Sequence, residues 1–481
     1  KNKESWIITI CYVIFLFGLI FSRYSPTSIL NGDNFISKLI YYVSALLLIG
    51  IVGYYYIRYK KENNDSFEKI DFEHVFLFAL LFLCLFTARS AVRLIMVLGP
   101  IAPIFVAYLN VFVVDKRKEK DETKKLLGWA MILVVVSFSI FSFYSFYNQV
   151  KPEAYNYVPY HYTIQWQKAM NWTRTSTPES SVFCHWWDYG YWLQSIGDRA
   201  TVTDGGNAIT YWNYLTGRLV LTGDNQKDAL DFLYSHKANY LLIDSSDLGK
   251  YGAFSSIGSN ESFDRFSQGP STFTYDTKEV QETKDSIIRI YKGGTYIEED
   301  LIYQDNATKI FLPGGQQTAI IGIIVEQTNS SFKQPQGVFY YQGKQTNLPL
   351  RYLYYQDKFI DFKTGVEGTA YVMPRVSSSS VDNVGVVMYV SPRIMRGLLG
   401  QIYILNDPFS RFSNFKLEHS EPNYFIDNIN QQGYNLNEFA YIDGLGIAGP
   451  IKIWKIVYTG TEQVKQEYLD TDSTKYLSWQ L

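Results

Sequence analysis

The sequence predicts a polytopic α-helical membrane region followed by an extracytoplasmic α/β core domain with a β-rich insertion. The first third of the 481-residue chain consists mainly of apolar runs, and a membrane-spanning helix needs about 20 such residues. The remainder alternates short apolar strands with helical patterns, which is typical of an α/β domain. We therefore expect the chain to contain two or three domains.

Four apolar stretches make up the predicted membrane region. Residues 6–21 and 36–57 are each long enough, or nearly so, for one span. Residues 72–114 are too long for one span and too apolar for a loop, so they predict a hairpin of two helices. Residues 126–147 form the last span, which brings the count to about five. The alternative is that these stretches are buried core helices.

The distribution of basic residues predicts the orientation of these spans. Loops 58–73 and 115–125 are rich in Lys and Arg, and such loops usually face the cytoplasm. Two spans separate them, which is consistent with both loops lying on the same side. Everything after residue 147 is then extracytoplasmic, in a multi-pass protein of the cell membrane. The basic loops could instead bind anionic lipid.

Two arginines near the predicted hairpin tip are unusual in an apolar setting. Arg89 and Arg93 would each place a guanidinium close to the end of a membrane helix. Such a charge is costly unless it reaches the interface, forms a pair or meets an anion. The two interpretations are a side chain that reaches the membrane surface and a cationic anchor for a phosphorylated lipid head group.

Composition excludes several classes of protein. The net charge of −2 provides no basic surface field, so nucleic acid is not an expected partner. Cys11 and Cys84 lie in apolar runs and Cys184 stands alone, so a disulfide framework cannot form. The five histidines are scattered without the spacing of a zinc site.

The pentapeptide Trp-Trp-Asp-Tyr-Gly at 186–190 is the main candidate site. A strand over 180–185 would deliver it, and a helix over 188–196 would follow. Two indole N–H donors and one carboxylate can surround a small hydroxyl group. The alternative is structural, with Asp188 as a helix cap and the two tryptophans as core residues.

Further patterns complete the soluble part. A helix is expected over 227–236 with Asp224 or Asn225 as its cap, and a strand over 240–243. A helix over 391–405 would place three apolar residues on one face, a pattern that ordinarily indicates core packing: Met395, Leu398 and Ile402. The predicted divisions are a membrane region over 1–148, an α/β core over 149–295, a β-rich insertion over 296–380, and a helix-plus-β part over 381–481.

Three features together resemble the catalytic subunit of oligosaccharyltransferase in its archaeal form. They are the multispan region, the pentapeptide Trp186–Gly190 and the segment Ala91-Val-Arg93-Leu. The resemblance implies a membrane region of the GT-C-like type and protein N-glycosylation. In that reaction, the amide nitrogen of Asn in an Asn-x-Ser/Thr sequon attacks the anomeric carbon of a lipid-linked oligosaccharide, and the phosphorylated polyprenol leaves.

The resemblance also implies roles for acceptor-side residues. The Ser or Thr hydroxyl of the sequon would be bound by Trp186, Trp187 and Asp188, while Tyr189 and Gly190 would shape the turn. A second motif of the family contacts the Thr methyl group from a helix. Its spacing is matched, with Leu in place of Ile, by Met395, Leu398 and Ile402.

On the donor side, the resemblance implies that Arg93 binds the phosphate or diphosphate, with Arg89 as second choice. A divalent metal, Mn or Mg, would neutralise the departing phosphate. The acidic ligands are expected upstream of Lys1, because the sequence reads as the C-terminal portion of a longer protein. Asp33 is the one local acid near the right place, and no catalytic residue is assigned.

Two other functions stay open at this stage. The chain could belong to a polyprenyl-phosphate-dependent membrane glycosyltransferase that acts on a lipid or a sugar, or it could be a non-enzymatic, membrane-anchored surface protein. The partners expected from the first interpretation are the membrane, a lipid-linked oligosaccharide and a sequon-containing polypeptide. The glycan, the choice between mono- and diphosphate, the metal and any partner subunits are not determined by the sequence.

The chain itself contains five sequons, at Asn64, Asn171, Asn260, Asn306 and Asn329. Asn64 falls in a loop predicted to be cytoplasmic. Glycans at the other, external positions with none at Asn64 would support the predicted orientation, and a glycan on Asn64 would contradict it.

Overall fold

The structure of the protein, a computed structural model, describes residues 2–22, 34–65, 67–87, 95–115, 121–156, 162–305, 309–328, 331–434 and 436–472. The chain forms two compact units, Lys1–Val158 and Pro159–Leu481. The boundary follows the change in composition, because the apolar runs all belong to the first unit.

The described part of the first unit contains five helices. They are α1 (Asn2–Phe21), α2 (Phe35–Lys61), α3 (Phe72–Thr87), α4 (Ile95–Asp115) and α5 (Glu122–Asn156). Large apolar side chains point outward along them, as in Phe138 of α5 with 70% exposure. An apolar outer face in a helical unit is expected where lipid replaces water.

Three stretches of the described residues are long and apolar enough to cross a membrane, namely Phe35–Lys61, Leu98–Asp115 and Lys125–Tyr155. The apolar parts of α1 and α3, Trp6–Leu19 and Phe72–Thr87, are shorter. The count of about five spans therefore stays a prediction. The break expected within 72–114 is present, since α3 and α4 are separate helices that pack together.

The second unit combines helices with strands. Its helices are α6 (Ile164–Ser176), α7 (Gly190–Ser195), α8 (Thr210–Leu215), α9 (Gln226–Ser235), α10 (Ser246–Ile257), α11 (Pro392–Arg396) and α12 (Tyr424–Gln431). Its strands up to residue 312 are β1 (Val182–Cys184), β2 (Ala200–Thr201), β3 (Tyr240–Ile243), β4 (Ser271–Tyr275), β5 (Gln281–Glu282), β6 (Ser286–Tyr296), β7 (Leu301–Gln304) and β8 (Lys309–Leu312). The remaining strands are β9 (Ala319–Thr328), β10 (Gln336–Tyr341), β11 (Lys344–Tyr355), β12 (Lys358–Asp361), β13 (Val366–Val376), β14 (Val381–Val390), β15 (Phe415–Glu421), β16 (Ala440–Ile442), β17 (Gly446–Ala448) and β18 (Ile451–Ile456).

A five-stranded sheet carries the predicted α/β core. Its strand order is β15-β18-β3-β1-β2, and β1 is parallel to both β2 and β3. Phe183 of β1 lies opposite Thr201 and Tyr240. Since β1 and β3 are parallel neighbours, their carboxyl ends meet at one edge of the sheet, where sites of α/β folds usually form.

The β-rich part is larger than the predicted insertion. Eleven of the described strands form one sheet in the order β12-β11-β10-β9-β6-β4-β14-β13-β16-β17, with β5 paired to β6. An additional parallel pairing of β11 with β13 closes a ring of strands. The sheet therefore extends beyond 296–380 on both sides, because β4, β14, β16 and β17 pair with it from distant parts of the chain.

This ring packs against the α/β core through alternate residues. Val372 and Val387 face an apolar cluster of the ring itself. Their strand neighbours Tyr371 and Met388 belong to the core cluster that also contains Trp186. Because side chains alternate between the two faces of a strand, β13 and β14 are shared by both cores.

The prediction of one continuous helix over 391–405 is wrong. Ser391 caps α11 by accepting a hydrogen bond from the Ile394 amide at 3.4 Å. The helix ends at Arg396 because Gly397 is extended, with φ −72° and ψ 156°, and a π-helical turn follows over Leu399–Ile404. The Leu398 amide donates to the Gly223 carbonyl at 2.7 Å, so a tertiary hydrogen bond replaces the helical one.

Two other local predictions are confirmed. The helix expected over 227–236 is α9, and its cap is Asn225, whose side chain accepts from the Lys227 amide. The strand expected over 240–243 is β3. In both places the local sequence signal and the tertiary packing favour the same structure.

Candidate functional site

The pentapeptide 186–190 forms a tight turn at the carboxyl end of β1. Trp187–Tyr189 make one turn of 3₁₀ helix, and α7 begins at Gly190. A Cβ atom on Gly190 would lie 2.5 Å from the Asp204 Cα atom. Only glycine therefore fits at the end of the turn, which packs directly on the loop after β2.

The turn separates its side chains into two groups. Trp186 is 2% exposed and Tyr189 is 3% exposed, and the Trp186 ring lies 5.6 Å from that of Phe254. Trp187 and Asp188 are partly exposed. The core interpretation is therefore correct for Trp186, whereas Trp187 and Asp188 lie where a ligand can reach them.

Asp188 forms an ion pair that the sequence did not predict. Its Oδ2 atom lies 2.9 Å from Nζ of Lys250, with 27% and 32% of the two side chains exposed. Lys250 also donates to the Tyr189 hydroxyl at 3.0 Å, and its Nζ atom lies 4.5 Å from the centroid of that ring. The pair is therefore half-buried and held in one geometry by Tyr189.

Lys250 comes from α10, the helix that follows β3. Because β1 and β3 are adjacent and parallel, the residues after Cys184 and those after Ile243 reach the same edge. Asp247 and Lys250 are three residues apart and share one helical face. A polar pair in the first turns after an apolar strand was the signal that could have identified Lys250.

A buried network lies beneath the pair. The Tyr189 hydroxyl donates to Oδ1 of Asp247 at 2.7 Å and is 2.7 Å from the Ser246 hydroxyl. Burial raises the pKa of Asp247 to about 7, although the positive charge of Lys250 opposes the shift. Burial also raises the pKa of Asp244. These contacts fix the Tyr189 ring and, through it, the position of Lys250.

His185 supports the turn from its inner side. The side chain is buried, and Nδ1 donates to the Trp186 carbonyl at 2.6 Å. Burial lowers the pKa of His185 to about 4, so the ring is neutral at pH 7. The Thr203 hydroxyl donates to the His185 carbonyl at 3.1 Å, which ties the turn to the loop after β2.

The second predicted acceptor motif lies in the core. Met395, Leu398 and Ile402 are 4%, 0% and 4% exposed, and they belong to the same apolar cluster as Trp186 and Tyr189. The Thr369 hydroxyl donates to the Met395 sulfur at 3.4 Å. The three side chains therefore expose almost no surface to a ligand.

The donor-side residues and the metal are not located by the structure. Arg89, Arg93 and Asp33 lie outside the described residues. Within the described part of the chain, no group of three His, Cys, Asp or Glu side chains could hold a metal ion. The metal and the acidic ligands that the resemblance implies therefore stay a prediction.

The segment that contains the turn is similar to known proteins. Residues 179–240, which include the turn, match the family model of the STT3/PglB/AglB core domain. The dolichyl-phosphooligosaccharide-protein glycotransferase 1 of Pyrococcus horikoshii is 29% identical over 219 residues, covering 44% of this chain and 21% of that protein. Its counterpart from Pyrococcus furiosus is 39% identical over 98 residues, covering 20% of this chain and 10% of that protein.

The solved apo structure of an Archaeoglobus fulgidus oligosaccharyltransferase is also similar. It is 13% identical, covers 85% of this chain and 40% of that one, and gives a TM-score of 0.40, which is too low to establish a common fold.

The match to the core-domain model covers the segment 179–240, which contains the turn. The relatives named above are archaeal, and the chain is similar to them over the segments given. It spans about a fifth of the length of the first of these relatives, 21%.

Proposed function

We propose that this chain is part of an enzyme that transfers an oligosaccharide from a polyprenyl phosphate or diphosphate to the Asn side chain of Asn-x-Ser/Thr sequons. One observation carries the proposal. The partly exposed ion pair of Asp188 and Lys250 lies at the sheet edge where β1 and β3 end, and Asp188 belongs to the segment that matches the family's core-domain model. The relatives' names supply the reaction class.

The proposed role of the turn is recognition of the acceptor. Lys250 contacts Oδ2 of Asp188, and we expect Oδ1 to accept a hydrogen bond from the sequon hydroxyl. The half-exposed Trp187 indole would donate to the same hydroxyl, while Trp186 packs beneath it. A site that buries polar groups around a hydroxyl rejects acceptors without one by about 10⁴-fold or more.

The buried groups would keep this recognition rigid. Tyr189 holds Lys250, Asp247 holds Tyr189, and Gly190 lets the turn approach Asp204. We expect Met395, Leu398 and Ile402 to support the turn from the core. Preorganised polar groups bind without a large ordering cost, which suits a weakly structured peptide acceptor.

The donor side belongs to the membrane region in this proposal. Arg93, with Arg89 as second choice, would bind the donor phosphate, and the membrane region over 1–148 would hold the polyprenol. A divalent metal, Mn or Mg, would be held by groups other than those described above and would neutralise charge on the leaving phosphate. The second unit would lie on the extracytoplasmic side of the cell membrane.

A peptide assay tests the proposal. Membrane-reconstituted protein that contains this chain is mixed with lipid-linked oligosaccharide and either an Asn-x-Thr or an Asn-x-Ala peptide. We expect glycopeptide only with Asn-x-Thr, and its loss when the divalent metal is chelated. Equal turnover of the two peptides, or transfer that persists in Asp188→Ala, would favour a glycosyltransferase that acts on a lipid or a sugar.

A further inference from the structure

The sequon at Asn260 lies on an exposed loop after α10. Asn260, Glu261 and Ser262 are all exposed. Oδ1 of Asn260 accepts from the Ser262 amide at 3.0 Å and from the Ser262 hydroxyl at 2.7 Å. These bonds are formed at the surface, so a transferase can open them without disturbing any core contact.

The sequon at Asn171 is in a different situation. It lies within α6, and the Thr173 side chain is 0% exposed, with its hydroxyl donating to the Ala169 carbonyl at 2.9 Å. Presenting this sequon would require α6 to unwind and to withdraw Trp166 and Met170 from the core. In the folded chain, the Asn260 sequon is therefore accessible to a transferase, whereas the Asn171 sequon is not.

A cleft of about 530 Å³ begins beside the Asn260 sequon. Ser262 lines it together with three aromatic rings, Phe263, Phe266 and Tyr296, and with the polar side chains of Gln268 and Glu298. Phe263 is 55% exposed and Tyr296 is 47% exposed. Aromatic faces with a few amide and carboxylate groups can contact the apolar face and the hydroxyls of a sugar.

The exposed position of Phe263 requires an unfavourable backbone conformation. Phe263 has a φ of +54°, which is uncommon for a bulky residue and requires support from its surroundings. Arg393 supplies that support by donating to the Phe266 carbonyl at 2.7 Å and to the Phe263 carbonyl at 3.3 Å. Arg218 pairs with Asp264 at 2.8 Å, which fixes the middle of the same loop.

We propose that Asn260 carries an N-linked oligosaccharide whose first sugars lie in this cleft. The Asn260 Nδ2 atom would attack the anomeric carbon of a polyprenyl-phosphate-linked oligosaccharide and release one proton to solvent. The bond from that carbon to the phosphate oxygen breaks, and its electron pair leaves with the phosphate. Oδ1 remains a carbonyl oxygen, so its hydrogen bonds to Ser262 can persist after transfer.

This inference rests on the proposed function, because it requires an active oligosaccharyltransferase on the same side of the membrane as the second unit. Another copy of the same enzyme could supply that activity. The cleft would then be occupied by a glycan that is covalently attached to the same chain. Its attachment point, Asn260, lies two residues before Ser262, which lines the cleft.

Glycopeptide mass spectrometry of the protein from its own membranes tests the modification. We expect a glycan on the Asn260 peptide in the wild type and in Ser262→Thr, and none in Asn260→Gln or Ser262→Ala. Asn171→Gln is the control and should leave the glycan mass unchanged. An unmodified Asn260 in membranes whose other proteins carry glycans would overturn the inference alone, whereas membranes without any N-glycans would count against the proposed function as well.

A second measurement tests the location of the glycan. The midpoint of thermal unfolding is compared for wild type and Phe263→Ala, each made in a glycosylating and in a non-glycosylating host. If the sugars lie on Phe263, the substitution lowers the midpoint more in the glycosylated protein. Tyr340→Ala, an exposed tyrosine on β10, should have the same effect in both hosts. Equal effects for Phe263→Ala would place the glycan outside the cleft.

Discussion

The turn at Trp186–Gly190 and the segment from Met395 to Ile402 both match acceptor motifs, yet the structure treats them differently. The turn leaves Asp188 partly exposed and pairs it with Lys250. The segment places all three of its matching side chains at 4% exposure or less. Both regions contribute residues to one apolar cluster. They differ in which side chains they expose to solvent.

The difference follows from the chemistry of the residues. A carboxylate at the end of a strand cannot be buried without a partner, so Asp188 stays at the rim and acquires Lys250. Apolar side chains have no such restriction and move into the core. We therefore expect a motif made of polar groups to indicate a site more reliably than one made of apolar groups.

The largest expected effect is the loss of transferase activity when Asp188 is replaced. In Asp188→Ala, we expect kcat/KM for an Asn-x-Thr peptide to fall about 10³-fold, or about 4 kcal/mol, because the hydroxyl loses its acceptor. The thermal midpoint should change little, because a partly exposed ion pair contributes about 1 kcal/mol or less. Asp188→Asn is the matched control, and an Asp188→Ala protein that unfolds early would show that the carboxylate is a structural cap.

The apolar motif should respond in the opposite way. Leu398 is 0% exposed, so Leu398→Ala should reduce the free energy of unfolding by about 3 to 4 kcal/mol through lost burial and a cavity. Denaturant unfolding measures this, with Leu417→Ala, 51% exposed, as the control. A stable Leu398→Ala protein that has lost its preference for Thr over Ser peptides would instead identify a pocket wall.

The support under the turn predicts a dependence on pH. The pKa of His185 is about 4 in the folded state and 6.5 as the ordinary value. A lowered pKa contributes stability that is present above pH 6.5 and is lost as pH falls towards 4, by about 3 kcal/mol. Unfolding of wild type and His185→Gln between pH 7 and 4 measures it.

The comparison with His185→Gln is needed because Asp247 changes the free energy of unfolding with pH in the opposite direction. Its pKa is raised to about 7, so its contribution is present below pH 4 and is lost as pH rises to 7. That contribution is common to both proteins and cancels in their difference. A constant difference across the range would mean that His185 does not titrate on unfolding.

The smallest expected effect concerns the partner of Asp188. Lys250→Met removes the charge and the donor to Tyr189, and we expect kcat/KM to fall about tenfold, or 1.4 kcal/mol. Lys250→Arg should recover part of the loss because it keeps the charge. If both variants are as inactive as Asp188→Ala, Lys250 contacts the substrate directly.

The sequence predicted the elements whose signals are local. The strand before Trp186, the strand over 240–243 and the helix capped by Asn225 are confirmed, because burial pattern and capping residue favour the same structure there. The resemblance carried by the pentapeptide is confirmed by the core-domain match over 179–240. The role of the partly exposed Asp188 in acceptor recognition stays a prediction.

What the sequence could not predict depends on contacts between distant residues. The ion pair of Asp188 with Lys250 requires β1 and β3 to be neighbours. The helix break at Gly397 depends on the Leu398 amide meeting the Gly223 carbonyl. The extent of the large sheet depends on β4 and β14 pairing across more than a hundred residues of chain. Apart from the polar residues that follow β3, none of these contacts leaves a local pattern.

The closed ring of strands has a consequence for a protein that handles extended polypeptides. An unpaired strand edge offers a row of N–H and C=O groups on which any extended chain can add as a further strand. The pairing of residues 350–354 of β11 with residues 366–371 of β13 covers the edges of those two segments. If the chain receives unfolded acceptors as proposed, this closure keeps the substrate from adding to these segments by main-chain pairing, so that it remains available to the side chains of the Asp188 turn.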